Sequence, residues 1–554
     1  MSESESGYKL MMPQAIWEGF DDTAPLEIDS RDTDYGKRMV FTALRAADGA
    51  VRVQTDVYLQ PDYDSAPNIL IVPEYHRLPE ARLIRALFET GANIIVPDYS
   101  KVSENSETVF PDSYAYGEWA KAGDHIKKCM PSALETSQYL YSVIIKRTMR
   151  LIKTHISDGK IILTGLGDAV EVAMQVEGSG GGADALACLN GSGYREYIRH
   201  NRYGGEDLEI DEERMCWLTG IASVAYAKYI RCPTFIAVGS NAHLSDIDRL
   251  QNLKSLLAAE SVHIVISPRA GDFLLPEAFR SLIIWINAVI KGTINELPDV
   301  PELDIRINED GIPYFDVDCD PASIIRRVNV YYATKEYSHE LRDWKDKRGI
   351  SVSYNEYIAQ AEEYSESDPL FAFGEVEYES GLTLTSLVGY MELSGQPVKA
   401  PPKKDTVQTS TGVIFDPMGE NNFVEDFSGT VMMKSGMHMA EIPGGLVGLT
   451  SDYGRLKTFH FCPSGAAAER LLQIELYSDR ETEVEVGLMS VAGGLKRYSA
   501  VRKVPAGRDM FVSVRLRLND FKETETLNSL QSWDGVKTLT IYGNNLIIGN
   551  ILFI

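Results

Sequence analysis

Residues 160–174 read Lys-Ile-Ile-Leu-Thr-Gly-Leu-Gly-Asp-Ala-Val-Glu-Val-Ala-Met. The run Ile161-Ile162-Leu163-Thr164 has the apolar, β-branched make-up of a strand buried on both faces. Gly165-Leu166-Gly167-Asp168-Ala169 predicts a sharp turn, and Val170, Ala173 and Met174 begin a helical pattern. Strand, turn and helix place residue 167 at the tip. The small residues Gly165 and Ala169 leave room for a close approach of strand and helix. The tip residue is itself a glycine, so it carries no oxygen or sulfur able to attack an electrophile.

Outward from this turn, the first half of the chain alternates apolar strands with helices. Arg38–Arg45 and Val51–Leu59 predict a hairpin about Asp48-Gly49. Asn68–Val72, Asn93–Val96, Ala183–Leu189, Pro233–Val238 and Val262–Ser267 read as buried strands. Arg82–Glu89, Ser132–His155, Ile247–Leu257 and Phe279–Ile290 read as helices. This alternation predicts a parallel sheet covered on both faces, with the hairpin as an antiparallel edge, over residues 1–294. A proline-punctuated linker follows at 295–302, and helical periodicity fades beyond it. Val328–Ala333, Leu370–Tyr378 and Thr383–Glu392 predict strands of a β-sandwich over 303–395, of immunoglobulin-like size and with Trp344 inside. A second linker at 396–412 reads as extended and solvated. Residues 413–554 read as all β. The expected fold class is thus α/β followed by all β, with three units joined by linkers that few contacts depend on.

Composition narrows the function. The net charge of -26, from 54 basic and 80 acidic residues, opposes nucleic acid and anionic membrane surfaces as partners. No apolar run reaches the roughly 20 residues that span a bilayer. The acidic stretch Met1–Tyr8 lacks the basic and apolar parts of a secretory signal. Cys129, Cys188, Cys216, Cys232, Cys319 and Cys462 are scattered without a C-x-x-C pair, so reduced thiols and a cytoplasmic location are expected. The same spacing suggests no zinc site, and neither metal nor cofactor is expected. The tract Gly178–Gly182 follows a helix and lacks the lysine of a phosphate loop.

Strand order and the 160–174 turn together resemble the α/β-hydrolase superfamily, most closely its acetyl xylan esterase and cephalosporin deacetylase branch. In that family the turn is the nucleophile elbow G-x-S-x-G, here Gly165-Leu-Gly167-Asp-Ala169, with glycine in place of serine. The family's acid follows a strand ending in Val-Gly. In Val238-Gly-Ser-Asn-Ala-His243 that position falls on Asn241 or Ala242. Its histidine follows the last strand, where Pro268-Arg-Ala-Gly-Asp272 carries Asp272. The resemblance therefore implies a hydrolase frame with nucleophile, acid and base all replaced, and so no working triad. Asp168, His76 and His243 are the residues that might stand in. Asp168 reads more readily as a helix N-cap, and the two histidines more readily as loop residues.

The C-terminal stretch resembles jelly-roll carbohydrate-binding modules through Trp533–Tyr542 and Leu546–Ile554. Sugar rings stack on exposed aromatic faces. Tyr75, His76 and Trp119 near the vacant elbow are candidate ligand contacts, as are Tyr453, Trp533 and Tyr542, with His460, Tyr477 and Tyr498 as further candidates. The expected function is a non-catalytic scaffold for a glycan, a glycoprotein or a protein partner. The alternative is a carbohydrate esterase or acyltransferase that uses displaced residues. A pocket left open at Gly167 is part of the expectation, suited to a neutral ligand.

Overall fold

The computed structural model describes residues 7–129, 131–193, 200–204, 208–399, 412–419, 421–461, 463 and 468–554. One nine-stranded sheet is built from β1 (Asp29–Thr33), β2 (Gly36–Ala46), β3 (Gly49–Tyr58), β4 (Asn68–Val72), β5 (Asn93–Pro97), β6 (Ile161–Leu166), β7 (Ala185–Leu189), β8 (Thr234–Gly239) and β9 (Val262–Ser267). Its order is β1-β2-β3-β5-β4-β6-β7-β8-β9. The pairs from β1 to β5 are antiparallel and all later pairs are parallel. This is the expected parallel sheet with an antiparallel edge, extended by one more antiparallel strand, β1.

Among the described residues, eight helices accompany the sheet: α1 (Pro13–Trp17), α2 (Ala81–Phe88), α3 (Ser137–His155), α4 (Val170–Gly178), α5 (Glu212–Gly220), α6 (Ser223–Ala227), α7 (Leu250–Leu256) and α8 (Pro276–Lys291). The pleat of β6 sends Ile161 and Leu163 to one face and Ile162 and Leu166 to the other. The first pair joins a core with Ile144, Met149 and Val172 of α3 and α4. The second joins Leu83, Leu282 and Trp285 of α2 and α8. The long helix begins at Ser137, later than the periodicity predicts. Thr136 caps it by accepting the Tyr139 N–H at 3.1 Å, and 133–135 form a separate turn.

Residues 302–392 form two further sheets. Glu302–Ile307, Pro313–Asp318, Glu356–Gln360 and Ile350–Ser351 make one, and Ile325–Thr334 and Pro369–Tyr378 centre the other. Phe315 and Tyr332 meet between them, ring centroids 5.4 Å apart. The expected strand Thr383–Glu392 is two pieces, Thr383–Thr385 and Gly389–Glu392, both paired with Pro369–Tyr378. The break falls where Ser386 Oγ accepts the Gly374 N–H. The described residues between 413 and 553 form two six-stranded sheets over a core that includes Leu472, Val486, Leu539 and Trp533.

The units are not loosely strung, and the expected independence is corrected on this point. Trp344, Phe371 and Phe373 of the second unit belong to the same apolar core as α3 and α4. Thr385 Oγ1 accepts the Ile266 N–H of β9 at 2.9 Å, and Ser281 of α8 accepts the Thr383 N–H at 2.8 Å. Arg342, without exposed surface, pairs with Asp248 through two bonds of 2.6 Å and lies 3.4 Å above the Phe371 ring. The first linker is packed as well: Pro298 is buried, and the Asp299 N–H donates to Asp320 at 2.9 Å. In the second linker Val398 is buried and the Lys399 N–H donates to Gly311 O at 2.9 Å. The rest of that expected solvated segment, 400–411, lies outside the described residues, as do Cys462 and the first six residues of the acidic N-terminus.

Breaking a buried ion pair strands its partner. Asp248→Ala should therefore cost about 3–5 kcal/mol, while Asp248→Leu with Arg342→Met should recover most of that loss. Calorimetric melting checks both, and the wild type should unfold its first two units in one transition. A second expectation concerns Glu375, which accepts from Asn329 Nδ2 at 3.3 Å. Burial pushes its carboxyl up to about 7, and the Asn329 bond and the Arg327 charge offset only part of that. A raised carboxyl adds stability below its unfolded value, near 4.3, that is lost as pH rises through the folded value. Glu375→Gln should therefore be more stable than wild type above pH 7, on the order of 2 kcal/mol, with the difference vanishing below about pH 4. Denaturant melts across that range measure it.

Candidate active site at the strand ends

β6 delivers Gly167 to the tip of its turn with φ +53°, the left-handed region in which glycine alone is unstrained. A Cβ added there would lie 2.9 Å from Glu74 Cγ and 3.1 Å from Glu74 Oε1. Glu74, almost fully buried, thus fills the space into which a tip side chain would project. Arg77 holds that carboxylate through bonds of 2.7 and 2.5 Å, and His76 Nε2 lies 3.5 Å from it. The expected open pocket is therefore closed from below.

Asp168 does not cap α4. Its carboxylate accepts the Tyr75 N–H at 3.1 Å. In a nucleophile elbow, the N–H after the tip and one from the loop after the third core strand receive the developing oxyanion. Here the loop is Pro73–Glu80, and its Tyr75 N–H already serves a carboxylate. A second negative charge at that point is disfavoured.

The mouth above the tip is covered by the third unit. Leu274 N–H and Asn190 Nδ2 both donate to Thr430 O, at 3.0 and 2.9 Å. Thr430 N–H donates to Glu80 at 2.9 Å, and Met432 N–H to Leu274 O at 2.9 Å. Arg77 also donates to Ser428 O. Segment 428–432 therefore lies across the C-terminal ends of β7 and β9 as one more pairing element.

The second unit takes the acid position. Asn241 Nδ2 donates to His339 O at 3.0 Å and to Arg342 O at 2.8 Å, and His339 Nε2 lies 2.8 Å from Ala242 O. His243, expected on a free loop, sits 3.1 Å from Glu340, whose other oxygen meets Arg497 at 2.7 Å. Three units of the chain thus meet at one carboxylate. Burial alone would raise Glu340, but the bond and charge of His243 and the charge of Arg497 outweigh it and pull the carboxyl down to about 2. Asp272, in the base position, accepts the Leu244 N–H at 2.8 Å, and burial pushes its carboxyl above the ordinary range. It is spent on loop structure. Sequence reasoning missed Glu340, Arg342, Thr430 and Arg497, because each acts through partners between 94 and 350 residues away and no local pattern announces such a contact.

The aromatic candidates divide by exposure. Tyr75 is buried, with its hydroxyl donating to Gln138, and Trp533 is fully buried between Phe521 and Phe553. Neither offers a face to a sugar, which corrects both expectations. Tyr477 and Tyr498 are buried too. Tyr453 packs edge-on to Phe427 behind the covering segment, and Tyr542 lies under Arg455 at 4.3 Å. His460 pairs with Asp343 at 3.0 Å. Trp119 and His76 stay exposed beside the filled tip, ring centroids 5.9 Å apart. Among the described residues, Asp246, Asp248 and His339 bring donor atoms within 4.8 Å of one another. Arg249 and Arg342 already pair with the two carboxylates, so the group reads as an ion-pair network.

No protein-family model matches this chain, and no curated protein matches it. Its first half is similar in fold to solved hydrolases. An acetyl xylan esterase from a Thermoanaerobacterium species shares 9% identity over 50% of this chain and 92% of that one, at a TM-score of 0.39. An acetyl xylan esterase from a Paenibacillus species shares 13% over 50% and 92%, at 0.36. A dienelactone hydrolase from Anabaena variabilis shares 11% over 48% and 98%, at 0.29. At these levels the site's chemistry has to be read from the chain's own atoms.

Gly167→Ser tests the closed tip. The left-handed backbone should cost about 1–2 kcal/mol and the encounter with Glu74 somewhat more. The variant should melt lower than wild type and remain unlabelled by a fluorophosphonate. A labelled variant of unchanged stability would mean the tip is open.

Proposed function

We propose that this chain is a non-catalytic protein on an α/β-hydrolase-like frame, a binding scaffold for a glycan, a glycoprotein or a protein partner. The observation that carries this reading is the tip. Gly167 has no nucleophile, Glu74 fills its space, and Asp168 occupies the loop N–H that an oxyanion would need. The acid and base positions are engaged in holding other parts of the chain. A displaced-residue esterase would need Asp168, His76 or His243 to act at an open cleft. Asp168 is tied to Tyr75, His243 to Glu340, and the strand ends are covered. Trp119 and His76 supply the exposed stacking surface that the glycan reading uses, with Glu118, Lys101 and Lys121 paired beside it as polar neighbours.

Purified protein should hydrolyse aryl acetates no faster than a heat-denatured control, and Asp168→Asn should change nothing. Turnover that disappears in that variant would refute the reading. On a glycan array, Trp119→Ala should lower any binding about tenfold without shifting the melting temperature, the order expected of a lost aromatic anchor.

A further inference from the structure

A groove of about 270 Å³ lies far in sequence from the strand ends, between the extended segment Tyr8–Met12 and α5. Tyr8, Leu10, Ile210 and Met215 line it, with Asp211 and Glu212 at its edge. Leu10 is 51% exposed, Ile210 50% and Met215 43%, and the adjacent Met12 is 49% exposed. Large apolar side chains gathered this openly in one place mark a contact surface. The floor is firm. Beneath it, Met11, Cys129, Cys216, Trp217 and Ile221 form a small core of their own, and Lys9 is bridged to Ser132 with its N–H on Pro131 O.

Charge selects the occupant. Among the described residues that line the groove, two are acidic and none is basic. Glu209 and Glu213 adjoin them, Glu213 accepting from the Tyr8 hydroxyl at 3.4 Å. Arg214 is turned onto Glu209 O, Lys128 near Tyr8 pairs with Asp124 at 3.5 Å, and Lys9 is exposed. Asp211 has a local duty, capping α5 through the Arg214 N–H. Among the described residues, the side chains of Glu212 and Glu209 make no such bond. We propose that this groove seats a short amphipathic segment of a protein partner, with an apolar strip on the buried face and lysine or arginine on its flanks. Recognition is by apolar anchors in a groove, and the acidic edge sets orientation and encounter. The unbranched Met215 and Met12 adapt to such anchors. This assignment is independent of whether the strand-end site is catalytic.

The test uses the full chain and a fluorescent amphipathic Leu/Lys peptide, read by anisotropy. Controls are a Ser/Lys peptide with the same charge and a Leu/Glu peptide with the same apolar strip. The Leu/Lys peptide should bind at least ~10-fold more tightly than either. Ile210→Ser with Met215→Ser should weaken it about tenfold, and Glu209→Gln with Glu212→Gln should weaken it mainly at low salt. Both pairs are exposed, so the melting temperature should hold. Equal binding of the Ser/Lys peptide, or full binding by the Ser variants, would reduce the effect to attraction by the net charge and overturn the proposal. Concentration-dependent self-association abolished by the Ser variants would make a second copy the occupant and overturn it as well.

Discussion

A guanidinium without exposed surface holds this molecule together. Arg342 gives both its terminal nitrogens to Asp248, stacks on Phe371 and presents its own carbonyl to Asn241. A charge so deeply placed needs a paired ion and hydrogen-bond partners, since an unmatched buried ion costs several kcal/mol. The position of segment 336–343 supplies them: Glu336 O, Tyr337 O and Asp248 together accept four hydrogen bonds from one side chain. Once it is seated, His339 and Glu340 reach Ala242 and His243, and Arg497 closes the cluster from the third unit. The strand ends, where open α/β sheets ordinarily bind ligands, become the joint between units.

This reorganisation gives the substituted positions a physical role. Asn241 is an amide in the acid position, and an amide can donate to two carbonyls where a carboxylate could donate to none. Asp272 accepts a backbone N–H that an imidazole would meet less well. Glycine at 167 gives Glu74 room. Each of these residues suits a joint between units, and on the proposed non-catalytic reading the same residues leave no working triad.

The sheet was legible in the sequence because its strands are short, fully apolar and bounded by turns. The run 161–164 could hardly be anything but a central strand, and Gly165 and Ala169 disclosed the tight turn. The same local logic failed at the long helix, where Thr136 set the start, and at 383–392, where the Ser386 side chain interrupts the pairing. The positions that the resemblance assigns to a triad were legible, but the contacts they make were not. Hydrophobic patterning reports which face is buried and is silent about which unit buries it. Trp344 and Phe371 read as the private core of a sandwich and belong instead to a shared one. The prolines of 295–302 suggested a free linker, yet Pro298 is buried. Trp533 could not be told from a sugar platform, because aromatic residues serve core and surface alike.

The central claim is that the strand-end site is closed by the chain's own segments and stays closed. Native-state hydrogen exchange measures this directly at the amides of Tyr75, Thr430 and Met432, whose N–H groups are bonded to Asp168, Glu80 and Leu274. These amides should exchange only through a large opening, as slowly as neighbouring core amides and independently of an added acetyl ester. Exchange at the rate of an open loop, with protection appearing when the ester is added, would mean that the site opens to substrate and would contradict the account.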